Sequence, residues 1–508
     1  MNMKAASSRR HLLKAGLATC TVLPFGGVLS QEKKEEHLWD KEFDVIVVGS
    51  GVAGLTAGIT AAENGAATLI VEKMGEIGGS SRISQCDMAI VGSPLQKKLG
   101  IQDKPEWLAA DMQKVSGGLT DPEYALTIAK GTSALFNFMV EHGVIFNDTL
   151  MHFGGHSVKR TVYPVGGGKG IIRPLSNSFA SFKNSKLITR CKAESVIYDG
   201  DGRAIGLKVR TNYLFNPLLD SEDTENKTGS VKYFKARKGI VFASGGYCRD
   251  NSIVSAEVPY LKGISSNAQI GATGSGLRAL LEAGAYPVHL SLFRFSFPIS
   301  YTDICWGMYV DPSSGLRFVD EGGNRDKISM AILDQKKKNG NVTPVLIYDS
   351  AAIKNFHDQR RLKRGLALKN TCGGNIYKFD SLEELAKAYG IPVVALKEQA
   401  QRYNKMLDEL KDTEFNKDMK AMKGAGVRKA PFYAMQAMPF IAYTAGGAKI
   451  TPQAQVISAR TFKPIKGLYA AGEAAGGIHG ANRLTCCSVI DCGVFGMIAG
   501  TQVSKQES

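Results

Sequence analysis

The sequence predicts an α/β fold built around a parallel sheet. Three observations carry this: a βαβ unit that opens at Phe43, a strand-and-helix unit that closes the chain from Gly467 to Gly500, and glycines gathered in clusters. Val45-Ile46-Val47-Val48 is an apolar strand that runs into Gly49. A segment of helical period follows to Gly65, and Thr68-Leu69-Ile70-Val71 reads as the second strand. From about Leu187 to Ala243 strands alternate with turn-rich breaks, and Leu219 to Ser230 reads as an exposed polar loop between two of them. Helical patterns fill 381–411, where Ser381 and Glu384 form a capping box. The lysine-rich stretch 412–428 is expected to be solvated.

Composition narrows the class. A chain of 508 residues with 44% apolar side chains buries a large core and suits two interleaved domains. Its 56 glycines exceed the usual share of roughly 7%, as expected where backbone approaches a bulky ligand. The net charge of +16 is spread widely, with no basic, aromatic-interleaved helix. That argues against nucleic acid and fits a small anionic substrate.

Ser7-Ser8-Arg9-Arg10-His11-Leu12-Leu13-Lys14 has the form of a twin-arginine export signal, expected over residues 1–30 and followed by a polar linker over 31–41. The apolar run Ala15 to Leu29 is too short and glycine-rich to span a bilayer, so a periplasmic protein without stable membrane insertion is expected. Nine cysteines are sparse for this length. With no C-x-x-C-H the chain attaches no c-type haem, and no Cys/His set has metal spacing.

Gly49-Ser50-Gly51-Val52-Ala53-Gly54 lies between the first strand and its helix. Gly49 permits the tight turn, Gly51 lets backbone meet a pyrophosphate, and Gly54 lets helix pack on strand. The diphosphate then rests on the helix N-terminus. Glu72 and Lys73 close the second strand, with Glu72 placed for ribose hydroxyls. Three further segments separate FAD from NAD. Gly79, Ser80 and Ser81 offer small and hydroxyl groups after the second strand, and Gly245-Gly246 ends the strand 239–243. Gly467 to Glu473 is a strand that finishes in Gly472 and a carboxylate suited to ribityl hydroxyls. In this order they point to FAD.

With these motifs in place, the chain resembles the flavoprotein of soluble periplasmic fumarate reductases, a group that includes urocanate and acrylate-type reductases. The resemblance covers nearly everything after residue 42. Its most specific stretch runs from Gly472 to Leu484 and ends in His479-Gly480-Ala481-Asn482-Arg483-Leu484. It implies a Rossmann-like FAD-binding domain over 42–296 and 438–508, interrupted by a mobile α+β capping domain over 297–437. Arg483 matches the family arginine that clamps a substrate carboxylate against the flavin, a role suited to a planar guanidinium fork. Phe318 to Asp326 matches the family's F-V-N-E-x-x-x-R-D, which puts Arg325 on the arginine that delivers a proton. Ala272-Thr273-Gly274-Ser275-Gly276 matches a family loop, so Thr273 is expected along the FAD.

The departures bear on mechanism and substrate. Asp303 stands for the family glutamate of the proton supply, while Trp306 replaces its relay arginine. Tyr443 replaces a histidine before the Thr444-Ala445-Gly446-Gly447 turn and is expected to hydrogen-bond to the substrate carboxylate. Phe295, Phe297, Trp306 and Tyr443 would make the far end of the site apolar, so the expected substrate is a substituted or aryl acrylate-type monocarboxylate. Electrons must come from a separate cytochrome c or membrane-linked donor. Fumarate reduction proper, a dehydrogenase running in reverse, and an electron-transfer subunit without a substrate of its own stay open.

Overall fold

The computed structural model describes residues 39–507 apart from 220, 371–372 and 423–425. The twin-arginine leader and most of the linker lie outside the described residues.

The βαβ expectation holds residue for residue. The strand Lys41–Val48 pairs in parallel with Thr68–Val71, Val45 opposite Thr68 and Val48 opposite Val71, with the helix Val52–Glu63 between them. Strands buried on both faces are continuous apolar runs in a parallel sheet, and Val45, Ile46 and Val47 are fully buried. Beside Thr68–Val71 lies Ser185–Ile188, and on the other flank Lys41–Val48 pairs with the long strand Ser230–Phe242. That 13-residue strand serves two ladders. Its first half pairs antiparallel with Ala204–Thr211, and its last residues pair in parallel with Pro464–Ala470. The closing helix Ser488–Ser504 then packs on Val52–Glu63.

A second sheet lies further along the chain. Met308–Val310, Val345–Tyr348, Phe432–Met435 and Tyr377–Phe379 pair antiparallel in that spatial order. Its core includes Met308, Ile347 and Tyr403 on one side, and Ile328, Leu346 and Met435 on the other. A two-stranded ladder, Phe293–Ser296 with Phe440–Thr444, stands where the chain leaves for this sheet and where it returns.

Three local expectations change. The stretch 412–428 is not wholly solvated, since Lys417, Met419 and Val427 are buried. Lys417 Nζ bonds Glu321 at 3.1 Å and the Tyr403 hydroxyl at 2.7 Å. Arg317 completes the network against Glu321 and Asp412. A composition window cannot register that one lysine in a basic run has found a carboxylate. The loop from Leu219 likewise turns inward. Glu222 and Asn226 are buried, and the Asp223 carboxylate pairs with Lys192 at 3.3 Å. At 381 only half the box forms as expected: Ser381 accepts from the Glu384 amide, while the Glu384 carboxylate turns to the amide of Asp380.

Candidate active site

A cavity runs along the C-terminal ends of the parallel strands. That is where open α/β sheets bind ligands. Gly49 turns the chain at φ +102°, and a Cβ there would sit 2.4 Å from the Ala243 carbonyl oxygen. At Gly54 an added Cβ would meet the Gly49 oxygen at 1.9 Å, so Gly54 serves helix-on-strand packing and does not line the cavity. The Val52 amide donates to the Ser81 hydroxyl at 3.3 Å, and Gly51, as N-cap, puts no side chain over the amides that follow in the 12-residue helix. Those following amides suit an anion.

Other predicted cofactor residues sort by contact. Gly49, Gly51, Ala53, Glu72 and Lys73 line the cavity, as do Gly79, Ser80 and Ser81. At its other end stand Gly245, Gly246 and Glu473. Gly472 is a turn residue at φ +63°, packed on Cys492 and Ala53. Thr273 lines a neighbouring hollow and accepts a 2.7 Å hydrogen bond from Lys73 Nζ. Glu72 lines the cavity and also ties the phosphate loop, accepting from the Ser50 amide at 3.0 Å and the Ser50 hydroxyl at 2.5 Å. Ser244, not singled out in the sequence, also lines it, with a buried Oγ that has no partner. A cavity with a glycine-capped helix N-terminus, an unpartnered hydroxyl and the carboxylates of Glu72 and Glu473 in its lining fits FAD.

Glu473 closes the cavity. Its Oε1 accepts from the Thr444 amide at 2.8 Å and the Thr444 hydroxyl at 2.9 Å. Burial pushes its carboxyl above the usual range. Next to it the glycine-rich segment delivers Arg483, whose guanidinium lies 5.0 Å over the Tyr443 ring. Behind that ring, His479 meets Tyr443 edge-on and bonds Asp491 at 3.1 Å. Burial holds the His479 imidazole below its ordinary value and the Tyr443 phenol well above its own. Tyr443 is therefore a neutral phenol at physiological pH.

Arg325 opens the helix Arg325–Lys338, capped by the Asn324 side chain. It stacks 4.8 Å over the Tyr301 ring. Burial and then the positive field of Arg483 lower its pKa. Both effects ease the release of a proton from a group that otherwise holds it. The structure thus brings Arg325, Arg483 and Tyr443 into one neighbourhood.

Each Asp303 oxygen accepts one amide bond, from His357 at 2.7 Å and from Asp358 at 3.2 Å, which ties this carboxylate to the start of the helix Gln359–Leu366, and burial pushes its carboxyl up. The charged groups whose fields reach Arg325 include Asp326 and Arg361. Phe295 packs in a core cluster with Tyr247 and Ile441, and Phe297 in the core of the second sheet. Half-buried Trp306 packs against the two clusters of that sheet. Strand alternation is the reason for Phe295: Phe293 and Phe295 share the inward face of Phe293–Ser296, so the opposite face belongs to Arg294 and Ser296. Of the four aromatics expected to make an apolar end, Tyr443 is the one against Arg483. Arg294 went unremarked in the sequence because an isolated arginine between phenylalanines carries no motif.

Among the described residues no group of three or more His, Cys, Asp or Glu is disposed to hold a metal, and no helix is long and apolar enough to cross a membrane.

Comparison with known proteins agrees with this geometry. The family described as FAD binding domain matches residues 44–489. The acrylate reductase flavoprotein subunit of Shewanella woodyi is 31% identical, over 98% of this chain and 99% of its own. The urocanate reductase of Eggerthella lenta is 30% identical, over 91% of this chain and 75% of its own. Among solved structures, the open conformation of a flavocytochrome c3 fumarate reductase superposes with a TM-score of 0.78. It is 30% identical and covers 92% of this chain and 79% of its own.

Proposed function

The chain belongs to the FAD-dependent reductase family of acrylate, urocanate and fumarate reductases, and we propose that it reduces the C=C bond of an α,β-unsaturated carboxylate. The observation that carries this reading is Arg483, set against Tyr443 beside Glu473 at the cavity end, with Arg325 in reach of its field. When bound and reduced, FAD supplies the hydride that adds to the β-carbon.

The chain's own residues do the rest. Gly49, Gly51, Glu72 and Lys73 hold the nucleotide half, and Gly79, Ser80, Ser81, Gly245, Gly246 and Glu473 line the remainder. Arg483 grips the substrate carboxylate, withdrawing electron density from the conjugated double bond, and the neutral Tyr443 phenol donates to the same carboxylate. Arg325 gives a proton to the α-carbon, which yields the saturated acid, and must then be reprotonated. Asp326, whose carboxyl burial raises, and Arg361, tied to Asp358 at 3.2 Å, replace Asp303 as the source of that proton. Closure of residues 297–437 as a cap over the 42–296 and 438–508 halves would exclude water.

The two electrons per turnover come from a separate cytochrome c or membrane-linked donor. This is supported by the lack of a C-x-x-C-H motif and by the subunit status of the S. woodyi relative. Arg9-Arg10 in the leader supports export by the twin-arginine route to the periplasm, and an enoate acting as electron acceptor supports a role in anaerobic respiration. The test is an anaerobic assay with viologen-reduced protein. Reoxidation by enoates is expected, and dye reduction by saturated acids or ketosteroids with no enoate turnover would overturn the reading.

A further inference from the structure

The paired strands Ala204–Thr211 and Ser230–Phe242 are joined by the segment 213–228, which turns inward instead of running through solvent. Glu222 ties it together. Its carboxylate accepts from the Tyr213 hydroxyl and from Asn226 Nδ2 at 2.8 Å, and Asn226 also reaches the Leu214 carbonyl at 2.7 Å. Beside this tie the Asp223 carboxylate meets two ammonium groups, Lys192 at 3.3 Å and Lys73 at 3.7 Å. Lys192 also donates to the Asp223 carbonyl at 2.7 Å. The side chains of Asp223, Lys192 and Lys73 are 5%, 7% and 11% exposed, so salt and water screen these pairs little.

Both lysines line the cavity fitted to FAD. Their place along it follows from its other residues: Glu473 toward the flavin, the start of the helix Val52–Glu63 for the diphosphate, then Glu72 for the ribose. Lys73 follows Glu72 in the chain, and Lys192 follows Cys191, whose amide donates to the Glu72 carbonyl at 2.8 Å. The end beyond Glu72 is left for the adenine ring. Asp223 lines the adjoining hollow with Thr273. Lys73 Nζ, bonded to Thr273 at 2.7 Å and to Ser275 at 3.2 Å, therefore stands between the segment 213–228 and the nucleotide. Burial lowers the Lys73 ammonium, and the fields of Asp223, Glu222 and Glu72 oppose that.

We propose that the segment 213–228 is a clasp on the adenosine half of FAD. Asp223 is its positioning residue: it holds the heads of Lys73 and Lys192 away from the cavity, so that their methylene stems wall the adenine ring. Release of FAD then requires these two buried pairs to open. The clasp goes beyond the enoate-reductase reading and does not depend on it.

The test titrates the full-length protein, stripped of flavin, with FAD, with ADP as the adenosine half and with FMN as the flavin half. Isothermal titration compares the unaltered chain with Asp223→Asn and Lys192→Met, and the thermal midpoint without ligand controls for folding. Lys192→Met keeps the stem and leaves Asp223 paired with Lys73, so it strands no buried lysine. Both variants are expected to lose about 10- to 100-fold for FAD and for ADP, the range of a bond between charged groups. FMN should change by less than about threefold, because it does not reach the clasp. Release of FAD from loaded protein, followed by flavin fluorescence, should quicken in parallel. Equal losses for FMN would make Asp223 a general structural residue and overturn the proposal, as would unchanged FAD and ADP binding in either variant.

Discussion

Arginine does two jobs within one neighbourhood of this protein, and each follows from what surrounds the guanidinium. Arg483 rests on a neutral ring, with Nη1 on the Leu484 carbonyl at 3.4 Å and Nε without a partner, and its planar fork suits capture of a carboxylate. Replacing it with alanine should lower kcat/KM by about 10- to 100-fold or more, with lysine restoring only part because it lacks the planar fork. Flavin content should stay normal, checked by absorbance. Arg325 is desolvated and repelled by Arg483. Arg325→Gln should cut kcat by about 10²- to 10⁴-fold, the range of a lost general acid, with little change in KM. Steady-state kinetics separates the two: an Arg325 variant defective mainly in KM would reassign that residue to binding.

At the scale of elements, two structures position these side chains. The phosphate loop depends on backbone that only glycine supplies at Gly49, where φ is +102° and no room exists for a Cβ. Gly49→Ala should therefore yield protein that retains little flavin, measured by the ratio of flavin to protein absorbance. The segment leading to Arg325 hangs on the buried set of Arg317, Glu321, Asp412 and Lys417. Removing Arg317 strands the Asp412 carboxylate and leaves Glu321 with Lys417 as its remaining cation, and Arg317→Ala should cost about 3–5 kcal/mol in thermal or denaturant unfolding. Burial alone would raise the Asp412 carboxyl, yet the Arg317 bond and backbone amides hold it down at about 2, against an ordinary 3.8. A carboxyl depressed in the folded state contributes stability above its unfolded pKa and loses it as pH falls through the folded value. The second sheet should accordingly loosen between about pH 4 and pH 2, readable by amide exchange. Unaltered protection of Ile347 and Tyr348 across that window would refute this account.

Across the whole molecule, one fold presents a dinucleotide cavity at the ends of parallel strands and an antiparallel sheet reached through a single two-stranded ladder. Ligand bound to the folded state alone stabilises by mass action, about 1.4 kcal/mol for each tenfold rise of free ligand above Kd. FAD-loaded protein should therefore melt well above the stripped form, with a midpoint that climbs with added FAD. A midpoint indifferent to FAD would mean that the cavity is not its site.

How much of this was legible in sequence depends on the reach of each interaction. The βαβ unit, the phosphate loop, the closing strand-and-helix unit and Arg483 could be read because each is set by neighbours in the chain: apolar periodicity, a glycine at a forced φ, a motif of contiguous residues. The tie of Asp303 to the amides of His357 and Asp358 was not legible because those partners lie more than fifty positions away. Lys417 was expected in water because Glu321 is 96 residues distant. Phe295 and Arg294 differ only in which side of one strand they occupy, and pairing against Phe440–Thr444 settles that face. By itself the sequence determined the cofactor and the reaction class, since both are written in contiguous motifs. Tertiary structure alone decided which side chains meet the substrate, because burial and charge balance are sums over residues that only folding brings together.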